Sequence, residues 1–496
     1  MPFRSRILHR MAGLVVIIAV RWCSWSLVHD AGPNCVWATE PSVVTGFDQV
    51  SSPLVRTDLR LQSSASCAST ACHGGPRAGV ASRAAIRGSE YPLWLERDAH
   101  ALSWRTLCSS TSVTIMERLK IIQSGAIIDP AGFDNCLACH NSTRQFVEPR
   151  SVENLREGVG CSGCHGPAEK WRSTHYQPGW DRFKAVDDGF VPARNMLARA
   201  RMCASCHVGD RDRDMNHDII AAGHPALNYE FATFHQRQPK HWRDDRQSDA
   251  SHYEASLWLA GQLAALDASL VLLEARASQA LSVSQWPEFS AYNCSACHQP
   301  LRIGEIEPAS TEPSSSTAGF SHWNRFGVEE LLRLRMTEGK SSSHDLKLAE
   351  ALKNLAVTMR WSGNTAAQSK RAAAAVRVSL NAWIKSPQGL NEINRFSAQR
   401  LRDLSVSAGR EASNFQDWET ASQFYLASVA ARQAWLDTPA MASPGYTELL
   451  LSARQLRDTL TFRKGAHSPQ LPFRLAPRSA LLNHLRAIET TTIPKP

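Results

Sequence analysis

The sequence predicts a mainly α chain in two parts: short helices and loops wrapped around prosthetic groups, then an α-helical bundle. Three observations carry this. Pairs of cysteines followed at once by histidine recur between residues 67 and 298 and never afterwards. The same stretch is rich in Gly, Pro, Asp and His and short of long periodic segments. Beyond it, leucines fall at three- and four-residue steps, the spacing of one helix face.

The triplets are Cys67…Cys72-His73, Cys136…Cys139-His140, Cys161…Cys164-His165, Cys203…Cys206-His207 and Cys294…Cys297-His298. In each, two sulfurs can add to the vinyl groups of a haem while the adjacent imidazole takes the iron as proximal ligand. Ten of the 13 cysteines are used this way, which implies five c-type haems. A tetrathiolate zinc site would suit the spacing of Cys136/Cys139 and Cys161/Cys164, but gives no reason for the histidine that follows every pair. Disulfides leave the same histidines idle. The first motif is the unusual one, with four small residues (Ala68, Ser69, Thr70, Ala71) between its cysteines. Those residues can bulge between the thioethers, and Gly74-Gly75 lets the backbone turn sharply away from the porphyrin edge.

The N-terminus fits this chemistry. Arg4, Arg6 and Arg10 precede an apolar run from Met11 to Val20, and Val36-Trp37-Ala38 offers a cleavage site after Ala38. Residues 1–38 are therefore expected to be a signal peptide, with an uncleaved N-terminal anchor as the alternative and the only route to a membrane. Haem is joined to c-type cytochromes outside the cytoplasmic membrane, so the expected location is periplasmic or otherwise exported. A net charge of +9 over 496 residues is mild and spread out. With no basic stripe and no aromatic platform, nucleic-acid binding is not expected.

Residues 39–300 are expected to form a pentahaem cytochrome c domain. Leu259, Leu263, Leu266, Leu270 and Leu273 make one apolar stripe on a long helix between the fourth and fifth motifs. Residues 301–325, with Pro308, Pro313 and Ser314-Ser315-Ser316, read as a linker. Residues 326–496 form the helical domain. Leu348, Leu352, Leu355 and Met359 make a stripe that ends near Gly363-Asn364. Ser443-Pro444 reads as a cap and first-turn proline before Leu449, Ala453, Leu456 and Leu460. The segment from Asp417 to Ala427 has a faint tetratricopeptide flavour, but without a repeat it reads as ordinary bundle helix.

Each iron has a second axial position, and its occupant separates an electron carrier from a catalyst. Outside the motifs the haem region holds His100, His175, His217, His224, His235, His241, His252 and His322. Met116, Met196, Met202 and Met215 could substitute, though methionine is more often packing.

The chain resembles the cytochrome c-552/c-554-type multihaem proteins, in variants with a long helical C-terminal extension. The resemblance rests on Ser66-Cys67-Ala68 through Cys72-His73-Gly74-Gly75, on Asp98-Ala99-His100-Ala101, and on Cys161 through Trp171 to His175. It continues through Asn216-His217-Asp218 to Gly223-His224-Pro225, Pro239-Lys240-His241-Trp242, and Trp286-Pro287-Glu288-Phe289. It implies that a histidine downstream of one motif ligates another haem. His100, His175, His217 and His224 are then the expected distal ligands, with His241 fifth and His322 next. His100 is also expected to serve the first motif. His235 and His252 fit none of these strings and read as surface.

Electron transfer between redox partner proteins is the leading functional reading. A multihaem oxidoreductase acting on small nitrogen or sulfur species at an open haem is the alternative. Against it, the chain has no Cys-x-x-Cys-Lys motif, and Tyr91, Tyr176, Tyr229, Tyr253 and Tyr292 sit in no evident cross-linking motif. A third reading makes the C-terminal helices a docking module for a redox partner. No catalytic residue is evident there, where His344, His467 and His484 are isolated.

Overall fold

Helices make up nearly all the regular structure of this mainly α chain. The computed structural model describes residues 59–75, 88–123, 133–142, 156–181, 184–242, 250–281, 286–297, 319–360, 364–410, 418–436, 445–462 and 476–491. The expected leader, His298, most of 301–325, Gly363 and Ser443-Pro444 lie outside these residues. Among the described residues no strand forms; isolated bridges pair Asp210 with Arg213 and Tyr292 with Phe320.

The motif-bearing half is built of short helices: α1 (Glu90–Arg97), α2 (Ser103–Thr106), α3 (Ser110–Arg118), α4 (Asp134–His140), α5 (Cys161–His165), α6 (Met196–His207), α7 (His217–Ala222) and α8 (Phe231–Arg237). Their starts are set by local chemistry. Asn195 and Asn216 accept from Ala198 N–H and Ile219 N–H, which satisfies two of the orphan donors at the starts of α6 and α7.

Helix α9 (Ala250–Ala280) runs next and is the hub of the molecule. The expected stripe is buried, with Leu259, Leu263, Leu266, Leu270 and Leu273 at 1% exposure or less. The helix is not one-sided, however. Ala255, Leu257, Trp258 and Ala264 are buried too, because partners surround it on every face. It is long and apolar enough to span a membrane, yet 83% of its most apolar window is covered by the protein itself. Burial of each such leucine stabilises by about 1.5–3 kcal/mol.

After α10 (Cys294–Cys297) come α11 (Phe326–Thr337), α12 (Ser343–Thr358), α13 (Ala366–Lys385), α14 (Pro387–Arg395), α15 (Ala398–Arg410), α16 (Trp418–Leu436), α17 (Tyr446–Leu460) and α18 (Ala476–Thr490). Capping boxes start α12 (Ser342 with Asp345) and α13 (Thr365 with Gln368). The stripes on α12 and α17 are buried as expected. Helix α12 ends earlier than expected, at Thr358 with Met359 capping it. The residue capping the start of α17 is Gly445, in the left-handed region at φ +86°.

One large hydrophobic core runs from α6 to the last helix, and a small separate cluster of Leu107 and Leu137 lies by the second motif. The large core contains Ala200 and Ala204 of α6, Phe231 of α8, the leucines of α9, and residues of α11 through α18. Trp258 of α9 stacks on Phe396 at 6.2 Å. Asp267 of α9 pairs with Arg201 of α6 on one side and Arg377 of α13 on the other, at 3.3 and 3.4 Å. The C-terminal helices thus brace the helix that carries the fourth motif. The far end of the expected linker is pinned as well: Trp323 is buried, and its indole N–H donates to the Tyr229 carbonyl at 2.9 Å.

Candidate haem sites

Four of the five motif histidines are described, and each faces one non-motif histidine. The rings of His73 and His175 are nearly parallel, 13° apart, with centroids separated by 6.1 Å. His207 meets His100 at 6.1 Å, His140 meets His224 at 6.4 Å, and His165 meets His241 at 6.2 Å. This spacing has a chemical meaning. Two in-line metal–nitrogen bonds of about 2.0 Å, plus about 1.1 Å from each nitrogen to its ring centre, put trans imidazoles about 6.2 Å apart. The observed pairs are too far apart for direct stacking contact and match that value. The residues present therefore fit an iron held between two imidazoles.

Hydrogen bonds at Nδ1 orient the rings. His175 donates to the Arg172 carbonyl at 2.7 Å and His224 to the Pro225 carbonyl at 2.9 Å. His140 Nδ1 is 2.9 Å from the Ser103 carbonyl and 2.8 Å from Thr106 Oγ1. His73 Nδ1 lies 3.1 Å from Glu90 Oε2, and His100 Nδ1 lies 2.8 Å from Asp98 Oδ1. Carbonyls and carboxylates only accept, so in each ring Nδ1 carries the proton and Nε2 keeps the lone pair a metal needs. Burial holds His165 and His207 down at about 4, with neighbouring histidines adding to the effect, so both are neutral at neutral pH.

The cysteines show how the sites adjoin. The Cys67 and Cys161 thiols share a hydrogen bond, as do Cys139 and Cys206, and Cys164 lies in the field of Cys203. The first motif therefore neighbours the third, the third the fourth, and the fourth the second. Side chains within and beside the motifs fix this arrangement. Ser162, inside the third motif, donates to the Gln62 carbonyl and accepts from Gln62 N–H. Arg213 ties the loop after the fourth motif to the second by donating to the Ala138 carbonyl at 2.8 Å, while pairing with Asp210.

Several expectations need correction. His100 faces His207 of the fourth motif rather than the first, which is opposed by His175. His235 is not on the surface: it is 2% exposed and accepts from Arg199 Nη1 at 2.7 Å. The side chain of His252 lies outside the described residues. His322 has both ring nitrogens occupied, Nδ1 by Thr420 Oγ1 at 2.6 Å and Nε2 by Glu329 Oε2 at 3.0 Å. That arrangement offers no nitrogen to a metal. His217 instead lies beside the fifth motif, its ring against Phe289 and its backbone N–H bonded to Glu288. The Gly74-Gly75 turn works by close approach rather than by left-handed backbone. A Cβ on Gly74 would come within 1.9 Å of the Ala68 carbonyl oxygen.

Sequence reasoning missed Glu90; it named Tyr229 only as a tyrosine in no cross-linking motif, whereas its ring stacks on His207 at 4.9 Å. Asp98 was visible as part of a string, but its partner was not. Only the two-residue step from Asp98 to His100 could have suggested the bond.

Paired imidazoles beside cysteine pairs on a helical scaffold define a c-type cytochrome, a protein with covalently attached haem that works in electron transfer. More particularly, residues 71–166 match the family model described as cytochrome c554 and c-prime, which supports the c-552/c-554-type resemblance over that stretch. No curated protein and no solved structure matches the chain.

Proposed function

We propose that this protein is an exported electron carrier that holds five covalent haems, each closed on both faces by histidine, and passes electrons between redox partner proteins. The observation that carries the reading is the set of four imidazole pairs at 6.1–6.4 Å. The bound haems would supply reversible one-electron storage at each site.

The chain's own residues do the rest. Cys67/Cys72, Cys136/Cys139, Cys161/Cys164 and Cys203/Cys206 anchor the groups, and His73/His175, His140/His224, His165/His241 and His207/His100 hold the irons. Cys294, Cys297 and His298 form the fifth attachment, with His217 the ligand of choice because it lies against Phe289 at 5.6 Å, just before that motif. The adjacent thiols of neighbouring motifs support a continuous row of sites rather than isolated ones. Helices α11–α18 brace the row through α9. A shared core supports this scaffolding role over that of a detachable docking module. Export follows from the chemistry of haem attachment and from the leader at residues 1–38.

Carbon monoxide added to the reduced protein tests the closed-face reading. Unchanged spectra at all haems are expected; a haem that binds carbon monoxide would favour the enzyme instead.

A further inference from the structure

The Nδ1 partners of the paired histidines are of two chemical kinds. His140, His175 and His224 bond to neutral carbonyl or hydroxyl oxygens. His73 and His100 bond to carboxylates, Glu90 and Asp98. Both carboxylates are held in place by backbone. Glu90 accepts from Gly88 N–H through both oxygens at 3.1 and 2.9 Å, and Asp98 accepts from His100 N–H at 3.0 Å. Asp98 is also buried, at 5% exposure.

A carboxylate pulls on the Nδ1 proton harder than a neutral oxygen does. The opposite nitrogen becomes more basic and donates more charge to whatever metal it holds, which favours the more positive, oxidised state. We propose that Glu90 and Asp98 are positioning residues that lower the reduction potentials of the first- and fourth-motif sites below those of the second and third. This rests on the haem reading above. The two sites are not neighbours in the row: the third-motif pair separates them. In that pair His241 Nδ1 is buried and finds no hydrogen-bond partner among the described residues, so the site lacks this added donation. The potentials along the row therefore alternate: low at His73/His175, high at His165/His241, low at His207/His100, higher at His140/His224. A carrier so arranged holds electrons preferentially at its second and fourth positions rather than sharing them evenly.

The test is an electron paramagnetic resonance-monitored redox titration of the intact holoprotein and of Glu90→Gln, Asp98→Asn and Asp98→Glu. Mass spectrometry of the Cys67–His73 and Cys203–His207 peptides comes first. Missing haem there in the wild-type protein defeats the haem reading itself, separately from this inference. With haem in place, each amide variant is expected to move a single low-spin signal by about tenfold in its oxidised-to-reduced ratio at fixed ambient potential, equal to 59 mV for one electron. Asp98→Glu, which keeps the charge, is expected to restore most of that shift. Signals unmoved in both loaded amide variants overturn the proposal. Should Asp98→Asn fail to load, Glu90→Gln decides alone: an unshifted or lowered potential in the loaded variant overturns the proposal, and a single raised potential upholds it.

Discussion

His100 meets His207 edge-to-face with ring centroids 6.1 Å apart, although the two lie far apart in sequence. His207 closes the helix α6 that carries the fourth motif, while His100 sits in a short 3-10 turn just ahead of α2. The turn is held by Asp98, and Ser103 reaches from it to the carbonyls of His100 and His140. One short segment thus sets an imidazole opposite one motif histidine and a backbone tie to another.

Removing distal ligands should separate the two candidates for the fifth site. His217→Ala is expected to produce a high-spin signal in the oxidised protein and carbon monoxide binding in the reduced one. His322→Ala should leave every haem low-spin, since both of its ring nitrogens already bond to Thr420 and Glu329. The reverse result would reassign the ligand.

Gly166 follows the third motif directly, at φ +81°, and a Cβ there would approach the Gly189 carbonyl oxygen to 2.1 Å. Left-handed backbone strain alone costs about 1–3 kcal/mol. Gly166→Ala should therefore lower the unfolding midpoint and leave the Cys161–His165 peptide partly without haem. Full loading at an unchanged midpoint would show that the turn has more room than its geometry indicates.

Helix sites were legible from sequence where one face, or every face, was apolar. Leu348 and Leu449 fell where their stripes put them, because burial of leucine dictates the helix phase. The motif cysteines and the histidines beside them stand out because each triplet is contiguous in sequence. The pairing of His100 with His207, or of His175 with His73, was not legible, since it depends on how loops fold across one another. Glu90 carried no signal at all; nothing in Ser89-Glu90-Tyr91 distinguishes it from any acidic residue in a first helical turn.

His484 offers a pH test of the C-terminal helices. It is 1% exposed, with Ser428 Oγ at 2.8 Å from Nε2 and Ser452 Oγ at 2.9 Å from Nδ1. Burial, aided by the charge of Arg432, lowers it from 6.5 to about 4. Between those values the unfolded chain binds a proton that the folded chain refuses. The contribution is therefore complete above pH 6.5 and is lost as pH falls toward 4, by about 3 kcal/mol. In His484→Gln the urea midpoint should fall less steeply over that range than in the parent protein. Parallel curves would contradict the assignment.

Asp345, in the first turn of α12, is fully buried and serves several partners. It accepts from Arg335 Nε at 2.8 Å, from Trp383 Nε1 at 2.8 Å and from Ser342 N–H at 2.6 Å. Asp345→Ala leaves the buried Arg335 with Glu392 as its remaining carboxylate and removes the capping box. A loss of about 3–5 kcal/mol is expected by chemical denaturation. A loss below about 1 kcal/mol, the range of an exposed pair, would mean that water replaces the carboxylate.

The most direct measurement is haem counting by peptide in the purified protein, combined with its oxidised electron paramagnetic resonance spectrum. The account predicts haem mass on each of the five motif peptides, the wide-spaced Cys67–His73 peptide included, and low-spin signals alone. Four loaded peptides with a bare Cys67–His73, or a high-spin signal from a loaded site, would contradict it.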